Sequence, residues 1–320
     1  MNILLTTACN LDCEYCFAQS LRERPRQQEM SLRELEWLLW NMDPDADEVR
    51  LMGGEPTLHS RYPEVMRLAI SFGYVVTVFT NGTQAVLRQT APDLPHRILL
   101  NLNDWSFYSE GQRKEILNNL SALRDKVSLG FTITRPGFDL STHQRLIREY
   151  GLRPVIRLGL AQPVIDGANA YLADEDLPAV YASITEWASR LAADGIRLNF
   201  DCGFKRCLLD DDQIETLVRA GTVLRFDCSP AVDVGPGLMA WRCLAFSAGP
   251  GVDLRRFRTF DLARKWFERR DIYLGPEKDA CSSRQAGWCK GGCLARQVVR
   301  SANLESAEIK MKENIGLLTE

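Results

Sequence analysis

The chain has 320 residues, with 39 Lys and Arg against 42 Asp and Glu, a net charge of −3 and 45% hydrophobic residues. Those values are ordinary for a globular protein and exclude a disordered tail, a collagen-like chain and a coiled-coil rod. The two signs are interspersed, so there is no basic footprint for nucleic acid, and no run approaches the ~20 apolar residues of a membrane span.

The start, MNILLTTACN, has no basic stretch and no long apolar one, so no secretory signal is read and a reducing cytoplasm is expected. Asn2–Thr6 reads as a buried strand. Ser31–Trp40 begins on a cap residue and continues at helical spacing, with Pro44 soon after. Glu48–Met52 reads as a strand that runs into Gly53-Gly54, and Arg61–Ser71 as a helix ended by Gly73. Tyr74–Thr80 is rich in β-branched and aromatic residues and stops at Asn81-Gly82. A weaker helix over Thr83–Gln89 precedes a strand at Arg97–Leu102. Ser109–Leu123 (helix), Val127–Thr134 (strand), Leu140–Tyr150 (helix) and Pro154–Leu160 (strand) follow. Asp174–Ala193 reads as a long helix and Ile196–Phe200 as one more strand.

Six or seven β–α units over about 200 residues imply a parallel sheet with helical crossovers. They are too few for a closed eight-fold barrel. The expected fold is α/β: a partial (β/α)6, TIM-like barrel over residues 1–200, with a smaller cysteine-rich part over 201–320. In such sheets chemistry sits beyond the C-terminal strand ends. The first strand leads into cysteines and the second into Gly53-Gly54, so both reach one mouth of the sheet.

The ten cysteines are grouped. In a reducing compartment disulfides are not expected, which leaves metal ligation or a role as small buried apolar residues. Cys9, Cys13 and Cys16 form C-x3-C-x2-C, and no other cysteine occurs until Cys202. Three thiolates on one loop can occupy three corners of a cubane iron–sulfur cluster and leave the fourth iron open to a small molecule. Zinc is the alternative, although structural zinc wants a fourth ligand and the nearest His is His59.

These residues resemble the radical S-adenosylmethionine (SAM) enzymes, over about residues 2–200. Cys9, Cys13 and Cys16 match the family's triplet, Tyr15 is aromatic as its pattern expects, and Gly53-Gly54-Glu55-Pro56 matches its GGEP turn. The resemblance implies a SAM-binding 4Fe–4S cluster on the three cysteines. It implies that Gly53, Gly54 and Glu55 hold the methionine amino group. It implies reductive cleavage of SAM to a 5′-deoxyadenosyl radical that abstracts hydrogen from a substrate, rather than methyl transfer. Thr80, Asn81, Asn101, Asn103 and Gln162 stand at later strand ends and are the candidates for ribose and adenine.

The remaining cysteines are Cys202, Cys207, Cys228, Cys243, Cys281, Cys289 and Cys293. They resemble the SPASM or twitch extension of some radical SAM enzymes, with departures. Cys289-x3-Cys293 fits, whereas Ser283 stands where another cysteine would be, and no cysteine follows Cys293. One auxiliary cluster needs four thiolates; two need eight, and seven are present. Cys207, Cys228, Cys243 and Cys293 are expected to hold the first, with Cys202, Cys281 and Cys289 left for a second. A zinc site is the alternative for this part as well. Trp241, Trp288, Phe226 and Phe246 are expected to shield it, and Arg255–Arg270 to form a solvated basic face.

Members with this extension commonly modify peptides, and many carry a leader-binding domain before the barrel. Here the first strand begins at residue 2, so peptide recognition is expected from a separate leader-binding protein or from the cysteine-rich part. A small-molecule substrate and a non-catalytic iron–sulfur scaffold are the alternatives. Reduction calls for an electron donor such as flavodoxin or ferredoxin. His59, His96 and His143 are isolated and read as structural.

Overall fold

Each apolar run between turns becomes a strand, and a helix carries it to the next. The computed structural model describes residues 1–22, 29–42, 46–90, 96–274 and 281–300. Pro44, the His96 side chain and residues 301–320 of the cysteine-rich part lie outside the described residues. The strands are β1 (Asn2–Leu4), β2 (Glu48–Met52), β3 (Val75–Thr80) and β4 (His96–Asn101). They continue as β5 (Val127–Ile133), β6 (Val155–Leu160) and β7 (Arg197–Phe200). All seven pair in parallel and in sequence order. The crossover helices are Leu32–Trp40, Tyr62–Ser71, Val86–Thr90, Glu110–Leu123, Ser141–Tyr150 and Leu177–Ala192.

Local chemistry explains the helix boundaries. Ser31 and Glu34 cap the first crossover reciprocally, as Ser109 and Gln112 cap the fourth. The last begins at Leu177 rather than Asp174, because Pro178 occupies its first turn. Asp174 is freed to face the cysteine-rich part.

The register divides the strands into two faces. Leu51, Val78 and Ile98 form one row, fully buried under the helices. Arg50, Thr77 and Arg97 form the neighbouring row on the opposite face. That second face is concave. Arg157 on β6 stacks over Phe79 on β3 at 5.1 Å, although three strand spacings in a flat sheet amount to about 14 Å. The strands therefore curl into a partial barrel with a polar lumen.

The cysteine-rich part is not wholly separate from this sheet. β8 (Asp233–Gly235) pairs in parallel with β1, and β9 (Met239–Trp241) and β10 (Val252–Asp253) extend the edge antiparallel. Asn2 Nδ2 donates to Asp233 Oδ1 at 2.7 Å across the join. No helix among the described residues is long and apolar enough to cross a membrane.

His143 lies buried in its crossover helix, edge-on to Phe131 at 5.2 Å. Burial pushes its pKa from 6.5 down to about 4, against smaller upward pulls from the Gly130 and Leu102 backbone and Asp139. The unfolded chain therefore takes the proton more readily. Stability is complete above about pH 6.5 and falls towards pH 4, by about 3 kcal/mol from this group. Urea midpoints measured across that range should fall in the parent and fall less in His143→Leu.

Candidate active site

The loop after β1 carries Cys9, Cys13 and Cys16, and neighbouring strand ends hold it at several points. Cys16 N–H donates to the Cys13 carbonyl at 3.0 Å, and this turn brings the x2 pair together. Asn10 Nδ2 donates to Thr83 Oγ1 at 2.7 Å, and Asn10 Oδ1 accepts from Asn81 Nδ2 at 2.9 Å. Asn103, beyond β4, donates from Nδ2 to the Cys13 sulfur at 3.4 Å. The Tyr15 hydroxyl also hydrogen-bonds Cys13. Ala170 N–H, from the segment beyond β6, donates to the Glu14 carbonyl at 2.8 Å.

Gly53 and Gly54 are required by close approach, not by a left-handed backbone. A side chain on Gly53 would begin 2.5 Å from the Thr6 carbonyl oxygen, and one on Gly54 2.3 Å from that of Ala8. Gly54 N–H donates to Thr6 O and Glu55 N–H to Ala8 O, both at 2.8 Å. The turn is thus zipped to the residues that lead into Cys9.

Glu55, expected to hold an ammonium, is built into the turn. The side chain is 1% exposed. Oε1 accepts from Thr57 N–H (3.2 Å), Thr57 Oγ1 (2.5 Å) and Thr80 Oγ1 (2.7 Å), and Oε2 accepts from Asn81 N–H (2.7 Å). Four protein donors occupy it, so it fastens the turn to the end of β3. Burial nonetheless raises its pKa, against those hydrogen bonds. Thr80 and Asn81, expected at the ribose and adenine, are engaged in the same network. Thr80 Oγ1 is spent on Glu55, and Asn81 Oδ1 accepts from Thr83 N–H at 3.0 Å and Thr83 Oγ1 at 2.7 Å. Both join the loop to the sheet. Asn101 remains exposed at the end of β4, and its side chain lies over Gly130, where a Cβ would stand 2.4 Å from Oδ1.

Burial pushes the Cys9 thiol up to about 11, and raises Cys13 and Cys16 too. Ligation must therefore expel protons. No three His, Cys, Asp or Glu among the described residues close tightly enough for a single metal ion. What the loop can frame is a broader polynuclear cluster: three thiols on one rim, one sulfur already met by two hydrogen-bond donors.

The C-terminal thiols fall into two neighbourhoods. Cys202 is an exposed residue, and Asp201, Cys228 and Cys243 lie within electrostatic reach of its thiol. Cys293 hydrogen-bonds Cys228 and lies within electrostatic reach of Cys243. The shared hydrogen bond lowers Cys228 and raises Cys293, and Arg242 lowers Cys228 further. Burial, against the pull of Arg242, holds Cys243 up at about 12. Cys228 and Cys243 thus lie within electrostatic reach of both Cys202 and Cys293. Cys207 and Cys289 instead both lie close to Lys205 and Tyr181. Cys281 caps the short helix Ser282–Gln285.

Other expectations are also corrected. Gln162 stands against the cysteine-rich part and accepts from Arg296 Nε at 2.9 Å, so its side chain is not on the SAM ledge. Trp241 and Phe246 are packed inside, Phe246 beside Cys243 and Cys293, but Trp288 is 71% exposed and shields nothing. Arg255, Arg264 and Lys265 of the basic stretch form ion pairs with Asp253 and Asp261. Sequence reasoning missed Asn10, Arg242 and Arg296. Asn10 stood inside the motif, but nothing in the sequence marked the two arginines.

The family model described as the Radical SAM superfamily matches residues 3–158. The 7,8-dihydro-6-hydroxymethylpterin dimethyltransferase of Methanocaldococcus jannaschii is 34% identical over 85 residues, 25% of this chain and 17% of that protein. The sporulation killing factor maturation protein SkfB of Bacillus subtilis is 36% identical over 81 residues, 24% of this chain and 19% of that one. The chain matches no more than 30% of the length of the first curated relatives. A solved structure, anSMEcpe with bound AdoMet, superposes with TM-score 0.62 at 16% identity over 98% of this chain and 96% of that one. The same protein with AdoMet and the Cp18Cys peptide gives 0.61 at 15%, over 97% and 94%. At that identity the likeness concerns the fold.

Proposed function

We propose, for a chain whose residues 3–158 belong to the radical SAM superfamily, an enzyme that cleaves SAM reductively and abstracts hydrogen from a peptide. The observation that carries this reading is the zipped pairing of the Cys9–Cys16 loop with the Gly53–Gly54 turn. When bound, the cluster and SAM supply the electron and the 5′-deoxyadenosyl radical, which is chemistry the side chains cannot perform.

The chain's own residues bind and orient. Cys9, Cys13 and Cys16 would hold the cluster, with Asn103 and Tyr15 fixing the Cys13 sulfur. Gly53 and Gly54 present bare backbone for the methionine amine, and Glu55 keeps that backbone in place through Thr80 and Asn81. Asn101, exposed at the strand end, is left for the ribose or adenine. Cys202, Cys228, Cys243 and Cys293 would hold an auxiliary cluster, which Arg242 supports: its Nη1 lies 3.8 Å from the Cys243 sulfur and its Nη2 3.6 Å from that of Cys228. Cys207, Cys281 and Cys289 are three thiols, so a second auxiliary cluster on them would have one iron without a cysteine ligand.

The peptide reading is supported by the SkfB relative, named a maturation protein, and by the anSMEcpe fold, which binds a peptide. A separate leader-binding protein, a flavodoxin- or ferredoxin-type donor and a reducing cytoplasm belong to the same reading. A small anionic substrate is the second reading. Arg50, Arg97 and Arg157 face the lumen against the carboxylates Glu48 and Asp201, and one relative is named for a pterin.

Anaerobic reconstitution, reduction and addition of SAM should give 5′-deoxyadenosine from the parent and none from Cys9/Cys13/Cys16→Ala. That variant should still retain about four irons. Equal product from both would sink the reading. A rate raised by small anions and by no peptide would favour the second one.

A further inference from the structure

Gln162 follows Ala161 at the end of β6, and its side chain is 3% exposed. Arg296 Nε donates to its Oε1 at 2.9 Å. That bond fixes which way the amide faces, because turning it over would set two donors against each other. Nε2 therefore points away from Arg296, and there it is buried without a hydrogen-bond partner among the described residues. An orphaned buried donor is costly and marks the place of something that accepts.

The neighbours identify the acceptor. Gly203, the residue after Cys202, has φ +95°, and a side chain on it would begin 2.8 Å from Gln162 Nε2 and 3.4 Å from Cys293 Cβ. The amide thus opens onto the space between the Cys202–Gly203 turn and Cys293. Arg242 is 4% exposed and reaches the other two thiols of the set. Asp271 orients it, accepting from Nε at 2.6 Å and Nη2 at 2.8 Å. Two buried donors, one from the barrel and one from the cysteine-rich part, attend one group of four cysteines.

We propose that Gln162 Nε2 donates a hydrogen bond to a sulfur of an auxiliary iron–sulfur cluster held by Cys202, Cys228, Cys243 and Cys293, and with Arg242 raises its reduction potential. The inference rests on the reading of those four cysteines as cluster ligands. Reduction adds negative charge to the cluster, so donors aimed at its sulfurs stabilise the reduced form. Arg296 is a positioning residue. It stands on the helix Leu294–Arg300 that follows Cys293, so one helix start places both a thiol and the orientation of the amide.

The test uses the Cys9/Cys13/Cys16→Ala chain, in which only the C-terminal cysteines remain as ligands. Iron and sulfide are counted after anaerobic reconstitution, and the cluster is titrated with EPR detection. Gln162→Leu should keep the iron and lower the midpoint by about tenfold in the reduction equilibrium, about 59 mV for one electron. If the leucine disturbs iron loading, Gln162→Met, unbranched and similar in volume, should show the same drop. Full iron with an unchanged midpoint overturns the role of Gln162 and leaves the cluster reading standing. No iron in the starting chain overturns both.

Discussion

Gly54→Ala is expected to reduce 5′-deoxyadenosine formation by at least about a hundredfold while the chain still folds. The added methyl would stand 2.3 Å from Ala8 O, 2.7 Å from Ala8 C and 2.8 Å from Thr7 O. All three are backbone atoms, so no rotamer relieves the overlap. The Ala8 carbonyl must move, and the Glu55 N–H bond to it at 2.8 Å is lost. Cys9 is the next residue and moves with it. Such overpacking costs about 1–3 kcal/mol, within the margin of a domain of this kind. A displacement of about 1 Å at a reacting centre, by contrast, costs about a hundredfold. Product assays read beside thermal melts would separate the two effects. Gly111→Ala is the control, since nothing lies within 4 Å of that position and its backbone is helical. Parent-level product from Gly54→Ala would mean that the turn does not place the loop.

Arg296→Met should cost at least about 3 kcal/mol and loosen the seat of Cys293. The side chain is 3% exposed and serves four acceptors. Nη1 donates to Leu172 O at 2.6 Å and Asp174 Oδ1 at 3.0 Å, Nη2 to Ala161 O at 3.2 Å, and Nε to Gln162 Oε1. Asp174 retains Lys205 and Arg300 as partners. Ala161 O likewise keeps the Leu172 N–H at 3.3 Å, whereas Leu172 O and Gln162 Oε1 lose the donor shown for them, and each orphaned group costs about 1–3 kcal/mol. Denaturant midpoints and C-terminal iron content should both fall. Arg296→Lys should recover only part of the loss, because one ammonium cannot span a guanidinium's fork. An unchanged midpoint would show that the helix is held by other contacts.

Much of the barrel was legible because its signals are local. Ser31 with Glu34, and Ser109 with Gln112, announce helix starts three residues ahead. Leu51, Val78 and Ile98 each follow a polar residue, Arg50, Thr77 and Arg97, as expected of strands with one covered face and one polar face. The Cys9–Cys16 spacing lies within one loop, so reading it required no knowledge of the fold. The remainder depended on pairs distant in the chain. Spacing alone could not say that Cys202 lies within electrostatic reach of Cys228 and Cys243. β8 is three residues long, too short to show a period. Glu55 was recognised as important, but its four protein donors from Thr57, Thr80 and Asn81 arrive only once the chain has folded. The same holds for Gln162, whose strand-end position was readable and whose partner Arg296 was 134 residues away.

The pairing of β8 with β1 has a consequence for synthesis. Ile3 waits for Val234, and Asn2 for Asp233, 231 residues later. At about 5–20 residues per second, a ribosome leaves that outer edge of β1 uncovered for roughly 10–50 s. An unpaired strand edge is a template for other chains, and closing so long a loop is slow. The loop with Cys9, Cys13 and Cys16 begins a few residues after that edge. During the interval the loop is less enclosed than in the folded chain, and synthesis of the segment around Asp233 and Val234 closes that edge.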